Sequence, residues 1–121
     1  MKDFVPYEET LALRGLGFDE PCFGWWFADE KMLIVEKSTK STSENIVQAP
    51  TFSQAFRWFR EKYDLASHIA TYWQHDWNNY SYQYYFVEDK IEWNGIEHYK
   101  TYEEAELACL RKLISLAQAS Q

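Results

Sequence analysis

The alternation of apolar and polar residues along the chain predicts three helices and two groups of strands. From residue 51, Phe52, Ala55, Phe56, Phe59 and Tyr63 fall within one arc at 100° per residue, which is the stripe of a helix lying on a sheet. Trp58 lies outside that arc. A second stripe of Tyr102, Ala105, Cys109, Leu110, Leu113 and Leu116, flanked by Leu107 and Ile114, predicts a last helix from Thr101 to about Ala117. Both helices open with Thr, an aromatic, two polar residues and Ala. Thr51 with Gln54 and Thr101 with Glu104 each fit a capping box, in which a threonine hydroxyl and the polar side chain three residues on satisfy unpaired backbone N–H groups. A shorter first helix is predicted from Tyr7 to Leu16, with Pro6 near its start, Gly15 and Gly17 at its end, and Tyr7, Leu11 and Leu16 facing inward.

Strand signals occupy the rest. Segments 22–28 and 32–37 are rich in aromatic and branched residues, and Asp29-Glu30-Lys31 between them is of hairpin length. Residues 38–45 read as an exposed polar loop. Segment 68–73 fits a strand or the tail of a helical turn, whereas 80–87 alternates in its first half and is β-prone throughout. Asn94-Gly95 predicts a hairpin turn joining 90–93 to 96–99. The expected fold is α+β, a single mainly antiparallel sheet with helices packed on one face. The expected order is α-β-β-α-β-β(-β)-α, with a candidate ββα pseudo-repeat, in one domain spanning residues 1–121.

Composition narrows the partners. Hydrophobic residues at 46% and aromatics at 19% provide ample core material, so an ordered chain is expected. The formal charge of −7 argues against non-specific nucleic-acid binding and against an anionic membrane surface as partner. Arg57, Arg60 and Lys62 form a small basic island, which pairing with neighbouring carboxylates would explain. Cys22 and Cys109 have no metal-ligand spacing and read as reduced core thiols. The first residues lack the apolar run of a signal peptide, and no stretch approaches the apolar length of a membrane span, so a cytoplasmic location is expected.

Three stretches carry a resemblance: Leu16-Gly17-Phe18-Asp19-Glu20-Pro21-Cys22-Phe23-Gly24, residues 49–63 around Phe52-Ser53-Gln54-Ala55-Phe56-Arg57-Trp58-Phe59, and Thr101-Tyr102-Glu103-Glu104-Ala105-Glu106-Leu107-Ala108-Cys109-Leu110. In these the chain resembles a group of small bacterial proteins often encoded in phage or other mobile-element regions, with no assigned activity. The resemblance implies an α+β fold and a bacterial or phage origin, and it brings no catalytic residues.

No constellation points firmly to chemistry. Cys109 with His68, His75 or His98 would make a thiol–base pair, but Cys109 lies on an apolar helical stripe, as a small core residue would. His68, His75 and Asp76 match no metal-ligand spacing. Glu103 and Glu104 suit the first turn of a helix, and Asp19 and Glu20 suit a turn before proline. With no glycine-rich phosphate loop either, no catalytic residue, metal or cofactor is expected.

The constellation left is aromatic: Trp73, Trp77, Tyr80, Tyr82 and Tyr84. The three tyrosines share one strand face. If that face points away from the helices it forms an interaction surface; the competing reading is structural packing. The expected function is a non-enzymatic protein-interaction module that binds a protein partner or itself. The alternative is an acidic inhibitor or immunity-type protein acting on a nucleic-acid-processing enzyme. A third reading, stacking of single-stranded nucleic acid with Arg57, Arg60 and Lys62 on the phosphates, fits the negative charge least.

Overall fold

All three helices, the first hairpin and the strand after residue 80 form where the residue pattern places them. The computed structural model describes residues 3–27, 31–35, 46–71, 80–88, 91–94 and 97–120. In chain order its elements are α1 (Tyr7–Gly15), β1 (Gly24–Phe27), β2 (Met32–Val35), β3 (Ile46–Ala49), α2 (Phe52–Tyr63), β4 (Leu65–Thr71), β5 (Tyr80–Phe86), β6 (Ile91–Asn94) and α3 (Tyr102–Ala119). The fold is α+β. In place of the single sheet expected, the strands form two antiparallel three-stranded sheets, ordered β2-β1-β3 and β4-β5-β6. Backbone proximity divides the chain into two compact units, Met1–Ala55 and Phe56–Gln121. Three strands precede each of α2 and α3, one more than the candidate ββα unit has, and the two sheets differ in strand order.

In the first unit, the expected hairpin pairs Gly24 with Val35 and Phe27 with Met32. The strand that sequence reading missed is β3, which takes the other side of β1 with Gly24 opposite Ala49 and Phe27 opposite Ile46. Its polar member, Gln48, is buried because the side-chain Oε1 accepts the Cys22 N–H at 3.2 Å. Beyond β3 the chain meets the N-terminal segment, where Val5 N–H donates to Pro50 O and Phe52 N–H to Asp3 O. In α1 the buried positions are Thr10 and Leu13, while Tyr7 and Leu11 are half-buried. Thr10 is tolerated inside because its hydroxyl reaches Pro6 O at 2.9 Å and Val5 O at 3.2 Å. Gly17, with φ of +103°, ends the helix in the left-handed region as expected.

Gly24 is required by a close approach. A β-carbon there would lie 2.8 Å from Cε1 of Phe4 and 3.0 Å from the Ile34 carbonyl oxygen. Gly24→Ala is therefore expected to cost about 1–3 kcal/mol, as overpacking does, read as a lower urea midpoint. Phe4→Leu in the same chain should recover part of the loss by freeing the ring's space.

Both threonine caps form, though neither as a complete reciprocal box. Thr51 Oγ1 accepts the Gln54 N–H at 3.2 Å, but the Gln54 amide turns away to Pro21 O at 3.0 Å and Glu20 Oε1 at 3.3 Å. Thr101 Oγ1 accepts the Glu104 N–H and donates to Glu104 Oε1, each at 3.1 Å. Thr101→Ala should cost about 1 kcal/mol, measured by thermal unfolding, while Thr101→Ser should be nearly neutral.

In the second unit the burial of α2 departs from the expected stripe. Trp58 is buried, with its ring 5.2 Å from Phe59 and 5.5 Å from Tyr63, whereas Phe56 is half-buried. In α3 the buried residues are Ala105, Cys109, Leu110, Leu113, Ile114 and Ala117, with Tyr102 exposed and Leu116 half-buried. The 65–71 segment resolves as strand, paired along its whole length with β5 from Leu65 opposite Phe86 to Thr71 opposite Tyr80.

The Asn94-Gly95 signal is overturned. β6 runs antiparallel along β5, with Gln83 opposite Asn94, and Tyr99 then pairs with Tyr80 on the same edge. Three steps along β5 are thus matched by five along the neighbouring segment, an offset of two residues between the two pairings. Gly95 and Ile96 lie outside the described residues, as do the expected 38–45 loop and Asp29-Glu30.

Candidate functional site

Tyr80, Tyr82 and Tyr84 share a face, as alternation requires, but it is the face that α3 packs on. The Tyr80 ring meets Tyr102 of α3 edge-on at 6.1 Å, Tyr82 stacks on Tyr84 at 6.2 Å, and Lys112 Nζ lies 5.8 Å from the Tyr84 ring centre. The spacing is consistent: ten residues of helix and four of strand each span about 13–15 Å. α3 therefore runs alongside β5, and all three tyrosines are half-buried. Alternation fixes which residues share a face but not which face a helix will cover. Trp73 and Trp77 lie outside the described residues.

A cleft of about 440 Å³ opens beside this ladder. One wall is the α3 flank, where Glu104, Leu107, Ala108 and Arg111 follow helical spacing; the other is Glu97 and Tyr99, with Tyr82 also in the lining. The 97–99 segment is held to β5 by Ser81, whose hydroxyl donates to Glu97 O at 3.1 Å, and by the paired backbone groups of Tyr80 and Tyr99. Burial pushes the Tyr82 phenol up to about 12, assisted by Tyr99, Cys109, Tyr84 and Glu97. Burial, then Glu97, raises Tyr99 in the same direction. Both phenols stay neutral under ordinary conditions, beside carboxylates that make the local field negative.

The thiols are poor nucleophiles. Cys22 and Cys109 are free and buried, and burial foremost pushes each up to about 12. Ellman's reagent should label neither thiol appreciably in the folded protein and both rapidly in urea; fast native labelling would contradict this packing. Among the described residues no group of His, Cys, Asp or Glu is placed to hold a metal, and of the set His68, His75 and Asp76 only His68 is described, exposed on β4. In the basic island Arg57 Nε lies 3.7 Å from Glu61 Oε1 one turn on, an exposed pair within α2.

The first unit carries a different surface. Of the large hydrophobic residues most exposed among those described, Phe23 (63%), Met32 (52%) and Val35 (51%) all belong to β2 or the residue preceding β1. Met32 is opposite Phe27 and Val35 opposite Gly24, so the two lie on opposite faces of the sheet. Each face of β2 thus has one exposed end residue beside a half-buried one, and among the described residues its outer edge is unpaired. Its four residues, Met32-Leu33-Ile34-Val35, are all apolar. Sequence reading located this strand but not its edge position, since strand order has no local signature.

No family model matches the chain, and neither a curated protein nor a solved structure matches it significantly. Among the described residues no helix is long and apolar enough to cross a membrane.

Proposed function

We propose that this protein acts by binding another protein rather than by catalysis, and that the binding element is the β2 edge of the first sheet. The observation that carries the reading is the exposure of Met32 and Val35 on an all-apolar edge strand. Edge strands are usually blunted by charge, proline or a bulge, because their unpaired N–H and C=O groups template further strands. None of those devices lies within Met32–Val35. An extended segment of a partner would add its own backbone to this edge and place alternate side chains against Met32 and Val35. The surface expected on Tyr80, Tyr82 and Tyr84 is moved in this reading to the first sheet, because α3 occupies the tyrosine face.

The test compares wild type, Met32→Lys/Val35→Lys and Val87→Lys as baits. Val87 is an exposed apolar residue of the second unit, just past β5. A partner held by wild type and by Val87→Lys but lost by the double variant, with thermal stability within about 1 kcal/mol of wild type, is the expected result. Equal capture by all three removes the β2 edge from the function. Concentration-dependent sizing identifies the case in which the partner is a second copy.

A further inference from the structure

We infer that the cleft between the α3 flank and the 97–99 segment is a binding site for an organic cation, an alkylammonium or alkylguanidinium group carried on a short apolar stem. The inference is separate from the β2 reading, since every lining residue lies in the second unit.

Three features select that chemistry. First, the space is of the right kind: about 440 Å³ falls within the range of small-ligand sites, and it lies beside Tyr82, between the positions where Gln83 pairs with Asn94 and Tyr80 with Tyr99. Second, its charge has a sign. Glu97 and Glu104 outnumber Arg111, although one oxygen of Glu104 already accepts the Thr101 hydroxyl. Glu97 also helps to raise both Tyr82 and Tyr99, as a negative potential in the cleft would. An incoming cation relieves that potential, whereas an anion would add to it.

Third, the uncharged lining matches the rest of such a ligand. Tyr82 and Tyr99 line the cleft with aromatic side chains whose hydroxyls stay neutral, and aromatic rings attract ammonium or guanidinium. Leu107 and Ala108 provide apolar surface for methylene groups, as long cationic side chains require. The same pairing already occurs on this helix face, where Lys112 Nζ sits over the Tyr84 ring. The two sources of such a cation are a free amine and a lysine or arginine side chain of another protein, which share a charged nitrogen head group on an apolar stem.

The test is titration of the full chain with n-butylammonium and with N-acetyl-lysine methylamide, followed by the ring resonances of Tyr82 and Tyr99, with n-butanol as the neutral control. Saturable shifts are expected with the cations, with affinity at least fivefold above that for n-butanol. Glu97→Gln with Glu104→Gln should weaken cation binding at least fivefold, while Glu88→Gln, on an exposed turn, should not. Binding of both cations means that a side chain can enter; binding of butylammonium alone means a free amine. Should the double variant be unstable, raising NaCl on the wild type must weaken butylammonium but not n-butanol. Equal affinity for n-butanol, an unchanged double variant, or absence of salt dependence overturns the site.

Discussion

Phe59→Ala is expected to lower the unfolding free energy by about 3–5 kcal/mol, the largest single-residue loss foreseen in this chain. Phe59 is fully buried, and its ring lies against Trp58 at 5.2 Å and Tyr63 at 5.9 Å, so truncation leaves a cavity walled by two rigid rings that collapse poorly. Small domains have about 5–15 kcal/mol in total, so the variant should be near the limit of folding at 37 °C. Urea unfolding at 10 °C reads the effect as a midpoint shift at unchanged slope. Phe59→Leu, which retains most of the volume, should lose less than half as much. A Phe59→Ala loss under about 1 kcal/mol, the range of surface changes and mild repacking, would mean that the aromatic cluster of α2 is not a core.

The second large effect is loss of stability in alkali. Cys22 and Cys109 ionise near 9 in an unfolded chain, but burial raises both to about 12 in the fold. Between those values the unfolded state has released protons that the native state still holds, so stability is complete below pH 9 and declines as pH rises towards 12. For Cys109, which has no exposed surface, the loss at the top of that window is on the order of 4 kcal/mol, at 1.36 kcal/mol per unit. Tyr82, raised to about 12, adds a loss of the same sign. Urea midpoints at pH 7, 9 and 10.5 should therefore fall, and Cys22→Ala/Cys109→Ala should fall less steeply than wild type. Parallel curves would show that the buried thiols do not carry the pH dependence.

Much of the fold is legible in the residues because several signals are local. The threonine caps, the stripe of α3 and the ring-rich β1 and β5 depend on neighbours within a few positions, and each element formed within a few residues of its expected bounds. What the sequence hides depends on distant partners. β3 is four residues long and includes Gln48, whose polarity is satisfied by a residue 26 positions away. Trp58 lies off the α2 stripe and is nevertheless buried, since the rings of Phe59 and Tyr63 flank it. Asn94-Gly95 carries a strong turn signal, yet the residues on either side, Asn94 and Tyr99, both pair along β5, with an offset of two residues.

The candidate sites follow the same division. The shared face of Tyr80, Tyr82 and Tyr84 is readable from alternation, but the helix that covers it is not. The openness of β2 depends on strand order, and the cleft depends on a register slip; neither leaves a mark on the residues involved. Glu97 and Glu104, read alone, are an exposed strand-end residue and a helix-cap residue.

The most direct measurement of the central claim is amide hydrogen exchange across Met32–Val35, with and without the protein captured by wild type. Strand addition predicts that exchange in β2 slows at least tenfold on complex formation while β4 and β5 exchange as before. Unchanged β2 amides alongside protection appearing elsewhere would contradict it.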